Sequence, residues 1–172
     1  MLIINEKKQP KKVNIEIDEY IPFSISFMDD ILSELYWRYG NGKTSLIEIG
    51  LLETGEICNI TLTCLDQRYI SKTDHPFTNM YSEEEGLPVF DTSSWKKDVE
   101  NFSTIFKDEF NNEMSSIIGA NFLELSFLSE EKTKFYLKND RLRFGINSRN
   151  ELSSIQILDI SNQDIELLKI NF

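Results

Sequence analysis

Between Thr44 and Cys64, two runs rich in β-branched and apolar residues flank a Thr54-Gly55 pair, and this stretch restricts the fold more than any other. A tight loop at Thr54-Gly55 closes the runs into a β-hairpin. Closure there sets Leu51 opposite Cys58, Ile49 opposite Ile60, Ile47 opposite Leu62 and Ser45 opposite Cys64, so one face is almost wholly apolar. The other face carries Leu46, Glu48, Gly50, Asn59, Thr61 and Thr63, a mixed set that can meet water or a partner.

The flanking segments follow the same two periodicities. Residues 1–12 hold a short apolar run, Leu2 to Ile4, and then a basic, polar patch, which fits an edge strand or a flexible tail. From Val13 to Phe27 apolar residues keep odd parity, which predicts one bent or two separate strands with Pro22 at the bend or on an edge. Asp29 to Tyr39 changes period: Ile31, Leu32, Leu35, Tyr36 and Tyr39 behind Asp29 or Asp30 as a cap predict a short helix. Residues 66–94 lose any pattern and read as one long irregular segment, functional or disordered. Asp91 to Phe110 predicts the longest helix, because Trp95, Val99, Phe102, Phe106 and Phe110 fall on one stripe.

The C-terminal third predicts a meander of four strands, Phe122 to Leu128, Thr133 to Lys138, Arg141 to Asn147 and Ser154 to Asp159. An Asn139-Asp140 turn pairs Leu137 with Leu142 and Phe135 with Phe144, with Tyr136, Lys138, Arg141 and Arg143 outside. Ser161 to Asp164 forms a capping box, with Ile160 and Ile165 as its staple, and opens a short terminal helix. Together these elements give a single domain over 1–172 of the α+β class: an antiparallel sheet of hairpins and meander with one longer helix and two short helices, packed on one face.

Charge narrows the function classes. The 172 residues carry a net charge of −11, a balance that repels nucleic-acid backbones and anionic lipid and favours a basic protein as partner, although it also serves solubility alone. No long apolar run and no apolar stretch behind the N-terminal lysines points to export or membrane insertion, so a cytoplasmic home is expected. Cys58 and Cys64 sit on one strand about 20 Å apart, beyond disulfide reach, and read as small core hydrophobes in a reducing compartment.

Chemistry-bearing patterns are sparse. His75 is the only histidine, in an Asp74-His75-Pro76 turn, which rules out a histidine triad or a two-histidine metal site within one chain. The cysteines lack CxxC spacing and the glycines form no phosphate-binding loop, so no cofactor and no metal is expected, and no catalytic residue. Carboxylate pairs at Asp29-Asp30, Asp108-Glu109 and Glu130-Glu131 are what solvated faces carry. The run Glu83, Glu84, Glu85 differs, because it lies in the irregular segment beside Tyr81, Leu87 and Phe90. Acids around aromatic anchors suit recruitment of a cationic protein, so Glu83, Glu84, Glu85, Tyr81, Phe90, Asp74 and Asp91 are the candidate partner-binding residues; the same rings can instead tether the loop to the core. Asp29, Asp30 and Glu34 are the alternative surface. On this reading, reversing the charge of Glu83 to Glu85 weakens binding and leaves the thermal midpoint nearly unchanged.

The hairpin "LIEIGLLETGEICNITLTCL" and the C-terminal run "LRFGINSRNELSSIQILDISNQDIELLK" resemble the strand-turn-strand and the strand, strand and capped helix of bacterial immunity proteins encoded beside polymorphic or contact-dependent growth-inhibition toxins. The resemblance covers about a third of the chain. It implies a non-enzymatic cytoplasmic inhibitor that binds a cognate toxin domain, of the basic nuclease type, and occludes its active or substrate-binding surface. The alternative is a small-ligand-binding protein or enzyme with a pocket between the sheet and residues 66–94, using Glu83, Glu84 or His75.

Overall fold

The computed structural model describes residues 1–28, 31–75, 77, 81–95, 97–98, 100–127 and 132–171. The Thr44–Cys64 stretch is a hairpin, β5 (Leu46–Leu51) and β6 (Ile57–Cys64), with Ile49 opposite Ile60 and Ile47 opposite Leu62 as the alternation requires. Two bulges shift its ends, so Leu51 meets Ile57 rather than Cys58, and Leu46 rather than Ser45 meets Cys64. Each bulge inserts one extra residue into β6 and strengthens its local twist. Gly55 closes the turn at φ +85°, and a Cβ there would lie 1.9 Å from the Phe90 carbonyl oxygen, so no other residue fits.

The hairpin is the centre of a six-stranded sheet. β2 (Asn14–Glu16) and β3 (Phe23–Ser26) form a second antiparallel pair, and β3 lies against β6. On the other side β5 pairs with β4 (Leu35–Gly40), and β4 pairs in parallel with β10 (Phe106–Glu109). The order is β10-β4-β5-β6-β3-β2. The segment 31–39 expected as a helix is therefore mostly strand: Leu35, Trp37 and Tyr39 are buried while Tyr36 and Arg38 are half-buried, a period of two that the aromatic, strand-favouring residues support. The long helix expected over 91–110 is likewise not found among the described residues of that range. Phe102–Ile105 is a single 3-10 turn that runs into β10.

A seven-stranded sheet packs on the first. Its interior holds the four expected strands, β12 (Leu123–Phe127), β13 (Phe135–Asn139), β14 (Leu142–Ile146) and β15 (Leu152–Ile157), with β11 (Met114–Ile118) beside β12. Only β13, β14 and β15 run as a meander: β12 pairs with β15, so the expected four-strand meander is broken between β12 and β13. Its edges come from the segment expected to be irregular: β7 (Ile70–Lys72), after a 3-10 turn at Gln67–Tyr69, joins β11 in parallel, and β8 (Ser82–Glu85) joins β13 in parallel. The β13–β14 register differs by two from the expected one, with Leu137 opposite Phe144 and Asn139 opposite Leu142. Parity is unchanged, so the same apolar face is buried, but Tyr136 and Arg143 are buried on the opposite face rather than solvated.

Inward side chains of the two sheets interlock in one core. Trp37 and Tyr39 meet Phe127 edge-on, at ring separations of 5.5 and 5.1 Å, and Phe27 meets Phe144 at 6.4 Å. Residues 1–8, weighed above as strand or tail, contribute β1 (Ile4–Lys8), which pairs with β9 (Leu87–Phe90). This ribbon closes one end of the sandwich, with Leu2, Leu87 and Phe90 inside the core. The terminal helix α1 (Asn162–Asn171) is capped as expected: the Ser161 hydroxyl accepts from the Asp164 amide at 3.2 Å, and Ile160, Ile165 and Leu168 are buried. The architecture is thus sheet-dominated, broadly α+β, with one α-helix among the described residues. Asp29, Asp30, Pro76, Val99, Leu128, the Glu130-Glu131 pair and Phe172 lie outside those residues.

Candidate functional site

Three surfaces bear on function, and the first is the acidic edge expected from the sequence. Glu83 to Glu85 occupy β8, an exposed edge strand where charge discourages further strand pairing. Each carboxylate has a cation of the fold beside it, although Glu84 and Glu85 remain exposed. Glu83 Oε2 lies 2.6 Å from Arg143 Nη2, Glu84 pairs with Lys7, and Glu85 lies 3.5 Å from Lys138. A cleft of about 310 Å³ beside Glu85 is lined by Lys11, Lys12, Lys138 and Asp140, so the local charge is mixed.

The other expected residues scatter. Tyr81 is 44% exposed and leans edge-on against Tyr136 at 5.7 Å, so it does accompany the acids. Phe90, 1% exposed, belongs to the core and cannot anchor a partner. Asp74 follows β7, at the opposite edge of the seven-stranded sheet. Asp91 is half-buried beyond β9, where bonding to Ser93 holds its carboxyl below the usual carboxylate range. His75 is exposed, Cys58 buried and Cys64 half-buried, both thiols free and pushed up by burial. Among the described residues no group of His, Cys, Asp and Glu is arranged to hold a metal, and no helix is long and apolar enough to cross a membrane.

The second surface is a buried polar layer on the outer face of the seven-stranded sheet. Arg143 and Gln156 face each other across β14 and β15, Gln156 faces Glu124 on β12, and Tyr136 lies on β13. The Gln156 amide donates to the Tyr136 hydroxyl and to Glu124 Oε2, both at 3.1 Å. Burial pushes the Tyr136 hydroxyl up from its ordinary pKa. Phe77 lies over the Arg143 guanidinium at 4.5 Å, and Arg143 Nε and Nη1 and Gln156 Oε1 are buried with no hydrogen-bond partner among the described residues.

The third surface is the outer face of the six-stranded sheet. Two rows of outward side chains cross it in register: Glu16, Ser24, Thr61, Glu48, Arg38 and Asp108, and beside them Asn14, Ser26, Asn59, Gly50, Tyr36 and Phe106. Small residues floor the middle. The Asn59 amide donates to Ser33 Oγ at 2.9 Å, so the 31–34 segment crosses above Gly50, where a Cβ would lie 2.1 Å from that oxygen. At the β10 edge, Tyr36 stacks on Phe106 at 5.3 Å, Phe102 meets Phe106 edge-on at 5.8 Å, and Arg38 lies over Phe106 while binding both Asp108 oxygens at 2.7 and 2.9 Å. Glu48 is half-buried with no hydrogen bond or ion pair among the described residues, and burial pushes its carboxyl up, Arg38 opposing and Asp108 adding to the shift.

The mixed character of the hairpin's second face is visible in sequence, but the aromatic ladder at its side is not, because Phe102, Phe106 and Phe110 recur at helical spacing. The alternation of Leu35, Trp37 and Tyr39 was the available signal for β4. No protein-family model and no curated protein matches the sequence.

Proposed function

We propose that the protein acts by binding another protein: a cytoplasmic, non-enzymatic inhibitor of the bacterial immunity type, which engages a cationic, nuclease-type toxin domain and blocks its working surface. The observation that supports this reading is the open outer face of the six-stranded sheet, where a half-buried carboxylate, Glu48, lies between small polar residues and an aromatic ladder. Arg38 lies opposite it on β4 but is bound to Asp108, and Glu48 makes no ion pair among the described residues. Such a face offers charge for encounter and rings for desolvated contact. The test is mixing with the purified product of the neighbouring upstream gene. A stoichiometric complex whose association rate falls steeply with salt is expected. Absence of a complex at low salt overturns the reading.

A second reading, a small-ligand-binding protein or enzyme, is favoured by the unpaired Arg143 and Gln156 atoms between the seven-stranded sheet and Phe77. Unpaired buried donors and acceptors cost about 1–3 kcal/mol each, and a ligand or an ordered water can relieve that cost. Mass spectrometry of the protein as purified, native and then denatured, separates the two: a stoichiometric small molecule released on denaturation favours the second reading.

A further inference from the structure

We infer that a cationic protein docks on the outer face of the six-stranded sheet, with lysine or arginine side chains lying in a trough between Glu16 and Glu48. The inference rests on the binding role proposed above and assigns it a surface, away from the acidic β8 edge.

Register defines the trough. Glu16 on β2 and Glu48 on β5 share one row, and the residues between them are Ser24 and Thr61. Three strand spacings separate the carboxylates, about 14 Å between their backbones. Serine and threonine fill little of that width, so an extended basic side chain can lie along the floor with a carboxylate on either side. The 31–34 segment walls one flank, held above Asn59 and Gly50 by the Ser33 bond.

Charge selects the occupant. The row carries Glu16, Glu48 and Asp108 against Arg38, and Arg38 is engaged by Asp108 through two hydrogen bonds. Arg38 also lies opposite Glu48 and partly offsets its charge without an ion pair among the described residues, so the net excess on the row rests with Glu16 and Glu48. Glu16 accepts a bond from the Asn14 amide at 3.0 Å, and Glu48 makes none. Apolar contact is available at the margins, where Leu32 is 87% exposed, Phe102 73% and Ile31 48%. Acid at the centre and exposed apolar side chains outside it complement a basic surface with apolar neighbours. An acidic or nucleic-acid partner meets repulsion on the same row.

The experiment uses the full chain and fluorescent nona-arginine as the probe, with affinity from anisotropy and position from backbone amide shifts. Expected are shifts centred on Ser24, Glu48 and Thr61, and at least about tenfold weaker binding in Glu16→Lys/Glu48→Lys. Ser24→Lys, which places a cation on the floor and leaves both carboxylates intact, is expected to weaken binding to a similar extent and guards against misfolding of the double variant. Glu84→Lys/Glu85→Lys is expected to change affinity by less than about twofold. Binding that is lost in Glu84→Lys/Glu85→Lys and retained in the trough variants overturns this surface and leaves the cationic-partner reading standing. A wild-type chain that does not bind nona-arginine at low salt overturns both.

Discussion

Replacing Glu83 by Gln tests whether the acidic edge is a binding surface or part of the fold. The Arg143 side chain is 8% exposed and its Nη2 lies 2.6 Å from Glu83 Oε2, while Glu83 is 31% exposed. Removing one member of a buried ion pair strands the other and costs about 3–5 kcal/mol. Glu83 is near enough to solvent for water to recover part of this, so the expected loss is about 2–3 kcal/mol. For a chain of this size that lowers the thermal midpoint by about 4–12 °C. Glu84→Gln, which breaks an exposed pair with Lys7, is expected to cost about 0–1 kcal/mol. Differential scanning calorimetry of the two variants gives the contrast directly. Adding Arg143→Met to Glu83→Gln removes the stranded charge and is expected to restore much of the loss. A Glu83→Gln midpoint within about 1 °C of wild type, or no rescue by Arg143→Met, refutes the dependence of Arg143 on Glu83. The expectation that reversing Glu83 to Glu85 leaves the midpoint unchanged is revised on the same grounds.

Other consequences can be checked separately. Trp37→Ala removes a fully buried ring that meets Tyr39 and Phe127, and is expected to cost about 3–5 kcal/mol in urea unfolding. Gly55→Ala forces a Cβ onto the Phe90 carbonyl at positive φ, so β9 amides should exchange faster with solvent deuterium than in wild type while β12 amides do not. Ser161→Ala deletes the helix cap and is expected to cost about 1 kcal/mol by denaturant titration. The Glu48 carboxyl is raised by burial in the folded state, so its ionised form opposes folding at neutral pH, and that opposition fades as pH falls through the folded pKa towards the unfolded value. Glu48→Gln should therefore raise the thermal midpoint near neutral pH and give no gain below the ordinary glutamate range; a gain independent of pH counts against the assignment.

Legibility in the sequence followed the reach of each interaction. The β5–β6 hairpin and the β13–β14–β15 meander are local pairings, and their alternation identified them, with Ile49 opposite Ile60 and Ile47 opposite Leu62 at the correct register. The pairing of β12 with β15 rather than β13 is a distant one that alternation does not reveal. The bulges were hidden, since an extra residue in β6 changes no composition. The misread segments are those where a distant partner decides. Trp95, Phe102, Phe106 and Phe110 have helical spacing, but Asp98 Oδ1 accepts from the Glu100 amide, Asn101 Oδ1 from the Ser103 amide, and Thr104 Oγ1 from the Asp98 amide. These short side-chain bonds compete with a helix, and the free edge of β4 then captures residues 106–109 as a strand. β7 and β8 were lost for the same reason. All three are short parallel edge strands, and parallel pairing needs a crossover that no local pattern announces. Of the candidate site, the mixed face of the hairpin was visible, whereas the pairing of Glu83 with Arg143 depends on that unseen edge.

Moving the proposed surface away from Glu83 to Glu85 does not weaken the case for a cationic partner, because ion pairing cannot change an excess. With 29 acids and 18 lysines and arginines, at least eleven acids lack a basic side chain however the pairs are drawn, and a carboxylate shared between two cations, as Glu56 is by Lys8 and Lys11, leaves more. What the fold decides is where the unmatched ones fall. Glu83, Glu84 and Glu85 are among the matched, their cations supplied by β14, β1 and β13. Glu16, Glu34 and Glu48 form no ion pair among the described residues, where Glu34 accepts from the Glu53 amide. Glu16 and Glu48 share the face of the six-stranded sheet and Glu34 ends the 31–34 segment that crosses it, so carboxylates without an ion pair among the described residues gather on one side of the sandwich. A basic protein gains most by docking where carboxylates have no ion pair to surrender, and among the described residues Glu16 and Glu48 on this face have none, Arg38 being bound to Asp108, whereas each acid of the β8 edge is paired.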